Sequence, residues 1–135
     1  LFNNLNIKRT PDVVISIPIQ LTTDIKRVRA DAFNTEFQQS SLIFGSGFST
    51  DLKLSDRFNF KMHATPNYGF SFSQGNFFGG TLFRFDGRAM IFINNIFGTR
   101  ALAIGYDFDY RKYNIDVDLY DYDFSSHSVT LGIGL

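Results

Sequence analysis

The chain has 135 residues, enough for one ordinary domain with one core. Hydrophobic residues make up 44% of it and charged residues 19%, with Phe 17 and Tyr 6, a composition too apolar and aromatic for a disordered segment. Lys+Arg 13 against Asp+Glu 13 gives net charge +0, so no global field draws the chain to nucleic acid, and Cys 0 removes disulfides, thiol nucleophiles and cysteine-ligated zinc. Glu36 is the only glutamate and alanine is sparse, so strong helix formers are scarce and the composition points to an all-β protein. No window approaches ~18 consecutive apolar residues, which excludes a transmembrane helix. Leu1 follows no initiator methionine or apolar leader, so the start is expected to be processed or truncated.

Period two runs through almost every segment. Val13, Ile15, Ile17, Ile19 and Leu21 alternate with Val14, Ser16, Pro18 and Gln20, predicting a strand over Asp12 to Leu21 in which Pro18 sits where its missing N–H is tolerated. A long connection is expected from Thr22 to Gln39. Leu42, Phe44, Phe48, Leu52 and Leu54 then fall opposite Gly45, Gly47, Ser49, Asp51 and Lys53, and the turn Ser55-Asp56-Arg57 leads into an unusually long strand. That strand sets Phe58, Phe60, Met62, Ala64, Pro66, Tyr68, Phe70 and Phe72 against Asn59, Lys61, His63, Thr65, Asn67, Gly69 and Ser71.

A loop over Ser73 to Gly80 is followed by a strand with Phe83, Phe85, Gly87, Ala89, Ile91 and Ile93 on one face, which the parity carries through Asp86-Gly87 without a turn. Asn94 to Gly98 turns the chain into Leu102, Ile104, Tyr106, Phe108 and Tyr110. The Asp- and Tyr-rich stretch Asn114 to Phe124 is expected as a longer connection, after which Val129, Leu131, Ile133 and Leu135 alternate with Ser128, Thr130, Gly132 and Gly134. This predicts six strands, with Leu1, Leu5 and Ile7 belonging to a seventh.

Alternation alone fits an apolar interior or an apolar exterior. The polar face decides, because it is often Gly, Ser or Ala (Gly45, Gly47, Ser49, Gly69, Ser71, Ala103, Gly105, Ser126, Ser128), and small residues suit a crowded interior better than a solvated sheet surface. The same face carries Lys61, His63, Arg84, Asp86, Arg88, Asp107, Asp109 and Arg111, a set that can pair across adjacent strands as an interior charge network. The strands also exceed the ~5 to 6 residues of ordinary globular strands and reach the ~9 to 11 needed to cross a bilayer.

With Leu102-Ala103-Ile104-Gly105-Tyr106-Asp107-Phe108-Asp109-Tyr110 and the final His127 to Leu135, the chain resembles the closing strands of bacterial outer-membrane β-barrel proteins. The resemblance implies an antiparallel up-and-down transmembrane β-barrel of eight or more strands, of which this chain supplies about six to seven as one domain over residues 1–135, the C-terminal part of a longer barrel. It also implies lipid contact, other envelope proteins as partners, and no cofactor. The family's last strand usually ends in an aromatic residue; Leu135 is not aromatic, and a position two beyond it would share its face.

Candidate sites follow from the same parity. Tyr68, Phe70, Phe72, Phe83, Tyr106, Phe108 and Tyr110 are expected as lipid-interface aromatics. Lys26, Arg27 and Arg29 form a possible surface-contact loop for phosphates or an acidic partner. His63 as an interior base, and Asp116, Asp118, Asp121 and Asp123 as a calcium loop, are weaker: the aspartates lack the glycine turn and distal glutamate of an EF-hand, and His127 lies on the face opposite His63. Gly45-Ser46-Gly47 has no following helix and is no nucleotide site. The expected function is a structural, accessory or surface-binding protein of the outer membrane without catalysis; a small-solute pore and a soluble lipocalin-like barrel binding an apolar ligand are the alternatives.

Overall fold

The computed structural model describes residues 2–30, 35–72, 79–96, 100–115 and 121–134. It is all-β: β1 (Phe2–Arg9), β2 (Val13–Ala30), β3 (Thr35–Ser46), β4 (Phe48–Lys53), β5 (Phe58–Ser71), β6 (Gly80–Ile93), β7 (Ala101–Ile115) and β8 (Tyr122–Gly134). Every pairing is antiparallel, and the sheet follows chain order from β1 to β8, with β3 and β4 both lying between β2 and β5. β3 and β4 keep one register against both neighbours, since Ile19 pairs with Ser46 and Ser16 with Ser49. They act as one strand, which leaves β1 and β8 as edges that run in the same direction and have no outer partner among the described residues.

The break at Gly47 has a local cause. Gly47 N–H donates to the Pro18 carbonyl at 3.3 Å, and Pro18 has no N–H to return the bond. The β5 backbone also comes close at Gly47, where a Cβ would collide with the Ala64 carbonyl oxygen. Asn95, in the turn after β6, takes a left-handed φ of 58°, a conformation that asparagine tolerates.

Two predicted connections, Thr22 to Gln39 and Asn114 to Phe124, are shorter than expected. Thr22 to Ala30 and Thr35 to Gln39 are strand, paired from Thr22–Ile43 to Ala30–Thr35, so Lys26, Arg27 and Arg29 stand on β2 and not in a loop. β7 likewise continues to Ile115 and β8 starts at Tyr122. The backbone ladder carries these segments as strand although their side chains are polar on both faces, or reverse the alternation, and so show no strand signal. Residues 73–78 and the predicted aspartates Asp116 and Asp118 lie outside the described residues.

The sheet curls toward its small-residue face. On β5, Thr65 and Asn67 on the concave side are each 2% exposed, whereas Tyr68 on the convex side is 59% exposed. Among the described residues the buried hydrophobic side chains are Ile43, Leu82 and Tyr113, while Ser16, Gln39, Ser41, Thr50, Thr65, Asn67 and Ser71 are buried and polar. Left in water, the convex face forgoes about 1.5–3 kcal/mol for each large apolar side chain it could have buried. The sheet therefore has the polarity of a water-facing fold turned inside out.

Gly47→Val is expected to destabilise the fold by about 3 kcal/mol by forcing β5 away, whereas Gly132→Ala, whose Cβ would meet only Ala103 at 3.8 Å, stays within about 0.5 kcal/mol; equilibrium unfolding in detergent compares them. In the turn after β4, the Lys53 amine lies 2.8 Å from the Asp56 carboxylate and holds its pKa below the usual value, by hydrogen bond first and charge second. A depressed carboxyl pKa contributes above about pH 4 and loses that contribution as the pH falls through the depressed value. An NMR titration should place the Asp56 midpoint below the ordinary range, and Lys53→Met should return it there.

Candidate functional site

Alternation along β5, β6 and β7 brings Lys61, His63, Arg84, Asp86, Arg88, Asp107, Asp109 and Arg111 to the concave face, where the cross-strand register sets their neighbours. Arg84 stands opposite Arg111, Asp86 opposite Asp109 and Arg88 opposite Asp107. The first two pairings set like charges together, which costs stability when nothing intervenes. The side chains resolve this diagonally. Arg84 Nη2 and Nε reach Asp109 Oδ2 at 2.7 and 2.9 Å, Arg111 Nε reaches Asp109 Oδ1 at 2.7 Å, and Arg84 Nη2 lies 3.4 Å from Asp86. Asp109 thus sits between two guanidiniums, each engaging one of its oxygens.

Towards the Ser55–Arg57 turn, Arg88 bonds Asp107 through Nε, and Lys61 meets Asp51 at 2.8 Å. His63 lies between Ser49 and Arg88 in one hydrogen-bonded row. Two cavities flank this row. One of about 400 Å³ is bounded by Asn4, Asn6, Ser16, Ser49, His63 and Arg88; the other, of about 470 Å³, by His63, Arg84, Asp86, Arg88, Ser126 and Ser128. Hydroxyls and paired charges wall both, joined by amides, Val14, Met62 and Met90 in the first and by Phe108 in the second. Among the described residues no cluster of three metal-ligating side chains forms; Asp121 is exposed, and Asp123 accepts the Tyr110 hydroxyl at 3.3 Å.

At the far end, away from that turn, the walls meet. Tyr113 on β7 donates its hydroxyl to Asp24 Oδ2 on β2 at 2.8 Å, and Arg111 Nη1 lies 3.5 Å from Asp24 Oδ1, although β3, β5 and β6 separate these strands in the sheet. Ile43, Leu82 and Tyr113 pack together there with Phe124, whose ring lies 5.5 Å from the Arg111 guanidinium. Gln39 closes against Ser71 at 2.7 Å. Just below, Gln20 bonds Asn67 by reaching across Gly45, where a Cβ would occupy the amide's place. No family model, curated protein or solved structure matches this chain.

Gln20, Asp51 and Asn67, which the alternation placed on the polar face without a role, belong to this interior, as do Asp24 and Tyr113, which the sequence reading left out. Tyr113 continues the parity of Asp107, Asp109 and Arg111 by one step, a signal that could have found it; Asp24 lay in the segment read as a loop. The predicted aromatics Tyr68, Phe70, Phe72, Phe83, Tyr106, Phe108 and Tyr110 share the convex face; Tyr68 and Phe83 stand opposite each other in one hydrogen-bonded row, and the others are spread over the rows on either side. Several touch: Phe70 and Phe72 meet edge to face at 5.4 Å, Phe83 and Tyr110 at 6.4 Å, and Phe108 packs on His127 at 5.0 Å. Tyr106 Oη lies 2.6 Å from His127 Nδ1. Of the predicted basic group, Arg27 is exposed and bonds Gln38 at 3.3 Å, and Lys26 and Arg29 pair through their backbones with Gln39 and Glu36.

Asp109→Ala strips Arg84 and Arg111 of their shared acceptor and is expected to cost about 2 kcal/mol, less than a fully buried pair because these side chains are partly exposed. Tyr113→Phe removes the hydroxyl's bonds to Asp24 and to Arg111 while Arg111 still faces Asp24, and should cost about 1 kcal/mol. Urea unfolding of both variants beside the parent chain checks the ranking.

Proposed function

We propose that the chain is an integral outer-membrane β-barrel protein, a structural, accessory or surface-binding component without catalysis, with lipid against its convex face. The observation that carries this reading is the inverted burial: the charged and hydroxyl-bearing side chains fill the concave face, and the Phe-, Tyr-, Leu- and Ile-rich face is exposed. In an apolar layer that face loses its penalty, and the hydrogen-bonded ladder leaves few backbone groups to solvate. The two edges, running in the same direction, are joined in the complete barrel by an odd number of further antiparallel strands, which gives the even total usual for such barrels.

The lipocalin-like alternative needs the phenylalanines inside, and it gains no support from a concave face lined by Asp–Arg pairs. The pore is the second reading, because a charged interior is what an ion path requires. The crossing of Tyr113 and Arg111 to Asp24 favours a plugged interior over it.

The test is flotation with liposomes after refolding, combined with gel migration of unboiled and boiled protein in detergent. Flotation that survives alkaline wash, with a shift on boiling, is expected; protein left in the aqueous phase with no shift would overturn the membrane reading. In planar bilayers the plugged interior predicts no stepwise conductance, and well-resolved steps would move the choice to the pore.

A further inference from the structure

The concave face holds two kinds of cation. At the far end the side chains of Arg84 and Arg111 are 28% and 23% exposed, and Asp24, Asp86 and Asp109 surround them with acceptors. Nearer the Ser55–Arg57 turn the side chains of Arg88 and Lys61 are 52% and 53% exposed, although both lie on the same inner face. Each has one acid: Arg88 bonds Asp107 through Nε, and Lys61 meets Asp51 at 2.8 Å. Neither has a further acceptor among the described residues. A guanidinium carries five N–H donors and an ammonium three, so most donors of this pair stay open.

His63 stands between them. It faces Arg88 across the β5–β6 ladder and lies two residues from Lys61 along β5, on the same side of the strand. Its imidazole forms no hydrogen bond, ion pair or ring contact among the described residues, whereas His127 on the convex face is held by Tyr106 and Phe108. On the other side of His63 is Ser49, whose hydroxyl is likewise without a partner among the described residues. Residues opposed across a ladder lie about 5 Å apart and alternate residues of a strand about 7 Å, so the four side chains crowd one patch. All four border the cavity of about 400 Å³.

That cavity has an approach from one end. Lys61 and Asp51 also border a hollow of about 440 Å³ among Asp12, Lys53, Asn59 and Asn94, where the chain turns between strands. His63 and Arg88 in turn border the inner cavity of about 470 Å³, beyond which Tyr113 and Arg111 close on Asp24. The hollows share walls in series from the turn end inward and stop at that closure.

We propose that the cavity between Ser49, Lys61, His63 and Arg88 binds a small oxyanion, the phosphate or carboxylate group of a solute that enters from the turn end. Such a group brings only acceptors to a place where donors are in surplus, and the two open cations strengthen each bond it accepts. A ligand rich in hydroxyls would add donors to donors. The four side chains come from β4, β5 and β6 in the middle of the sheet, so the site stands apart from the edges β1 and β8 and from lipid on the convex face. An interior shut at the far end holds a solute and does not pass it through, which agrees with the plugged reading.

The two histidines, on opposite faces, give the test its own control. The full chain, isotope-labelled and refolded into micelles of a nonionic detergent, is titrated with sodium phosphate at constant pH and ionic strength while the imidazole resonances are recorded. The His63 signals are expected to shift and saturate while those of His127 stay fixed, and Arg88→Gln and Lys61→Gln should each weaken the binding about tenfold. The titration of the parent chain needs no variant, so misfolding of either leaves the site testable. His63 signals that never move, that move in parallel with those of His127, or that respond equally to sodium chloride would overturn the site. A shift with phosphatidic acid in the micelles and none with inorganic phosphate would keep the oxyanion and replace the solute by a lipid headgroup. Protein that shows the His63 shift but fails to float with liposomes would keep the site and lose the membrane reading.

Discussion

Asp24 and Tyr113 share no backbone ladder, yet the shape of the interior depends on their meeting. They come from β2 and β7, and their side chains touch only when the intervening β3, β5 and β6 curl far enough to bring opposite walls within reach. Once there, Tyr113 lies against Ile43 and Leu82, and Asp24 also faces Arg111, which holds Asp109 and through it Arg84. The contact joins the small apolar core to the charge network. Neither would suffice alone: the three buried hydrophobic side chains among the described residues make a minor core, and ion pairs return little net stability once their desolvation is counted.

This arrangement explains why the small residues matter. A concave face has less room than a convex one, and Gly45 shows the use of that room: without a side chain there, Gln20 and Asn67 meet over β3 and satisfy each other. The charge network obeys the same economy of space. Register sets Arg84 against Arg111 and Asp86 against Asp109, so opposition within a row would repel, and the attraction is found by reaching to the next row. Polar groups packed this way need partners, and among the described residues Gln39 Oε1 is the one buried side-chain atom without one; the pairing makes the interior specific in geometry even though each pair adds modestly to stability.

The strands whose two faces differ were legible from sequence. β5 and β6 could be read almost residue by residue because Phe58 to Phe72 and Phe83 to Ile93 alternate with polar or small neighbours. The reading failed where the contrast vanished or changed sign: Thr22-Thr23-Asp24 and Gln38-Gln39-Ser40-Ser41 are polar on both faces, and Lys112, Tyr113, Asp123 and Phe124 put the polar residue outside and the aromatic inside. Period two in hydropathy is a signature of a sheet with two unlike environments. A strand that leaves one of them keeps its backbone pairing and loses the signature. The eight interior charges were therefore visible as one face, whereas Asp24 and Tyr113 were not, since each sits beyond the point where the contrast holds.

The sequence by itself determined which residues share a face, because alternation is local and a strand's side chains point to opposite sides at every step. Side-chain volume, also local, marked the Gly- and Ser-rich face as the crowded one. Only the tertiary structure decided which charge meets which, how far β2, β3, β7 and β8 extend, and that β2 and β7 close over the interior at one end. Those depend on register and curl, which arise from the whole set of strand pairings and are written in no single segment.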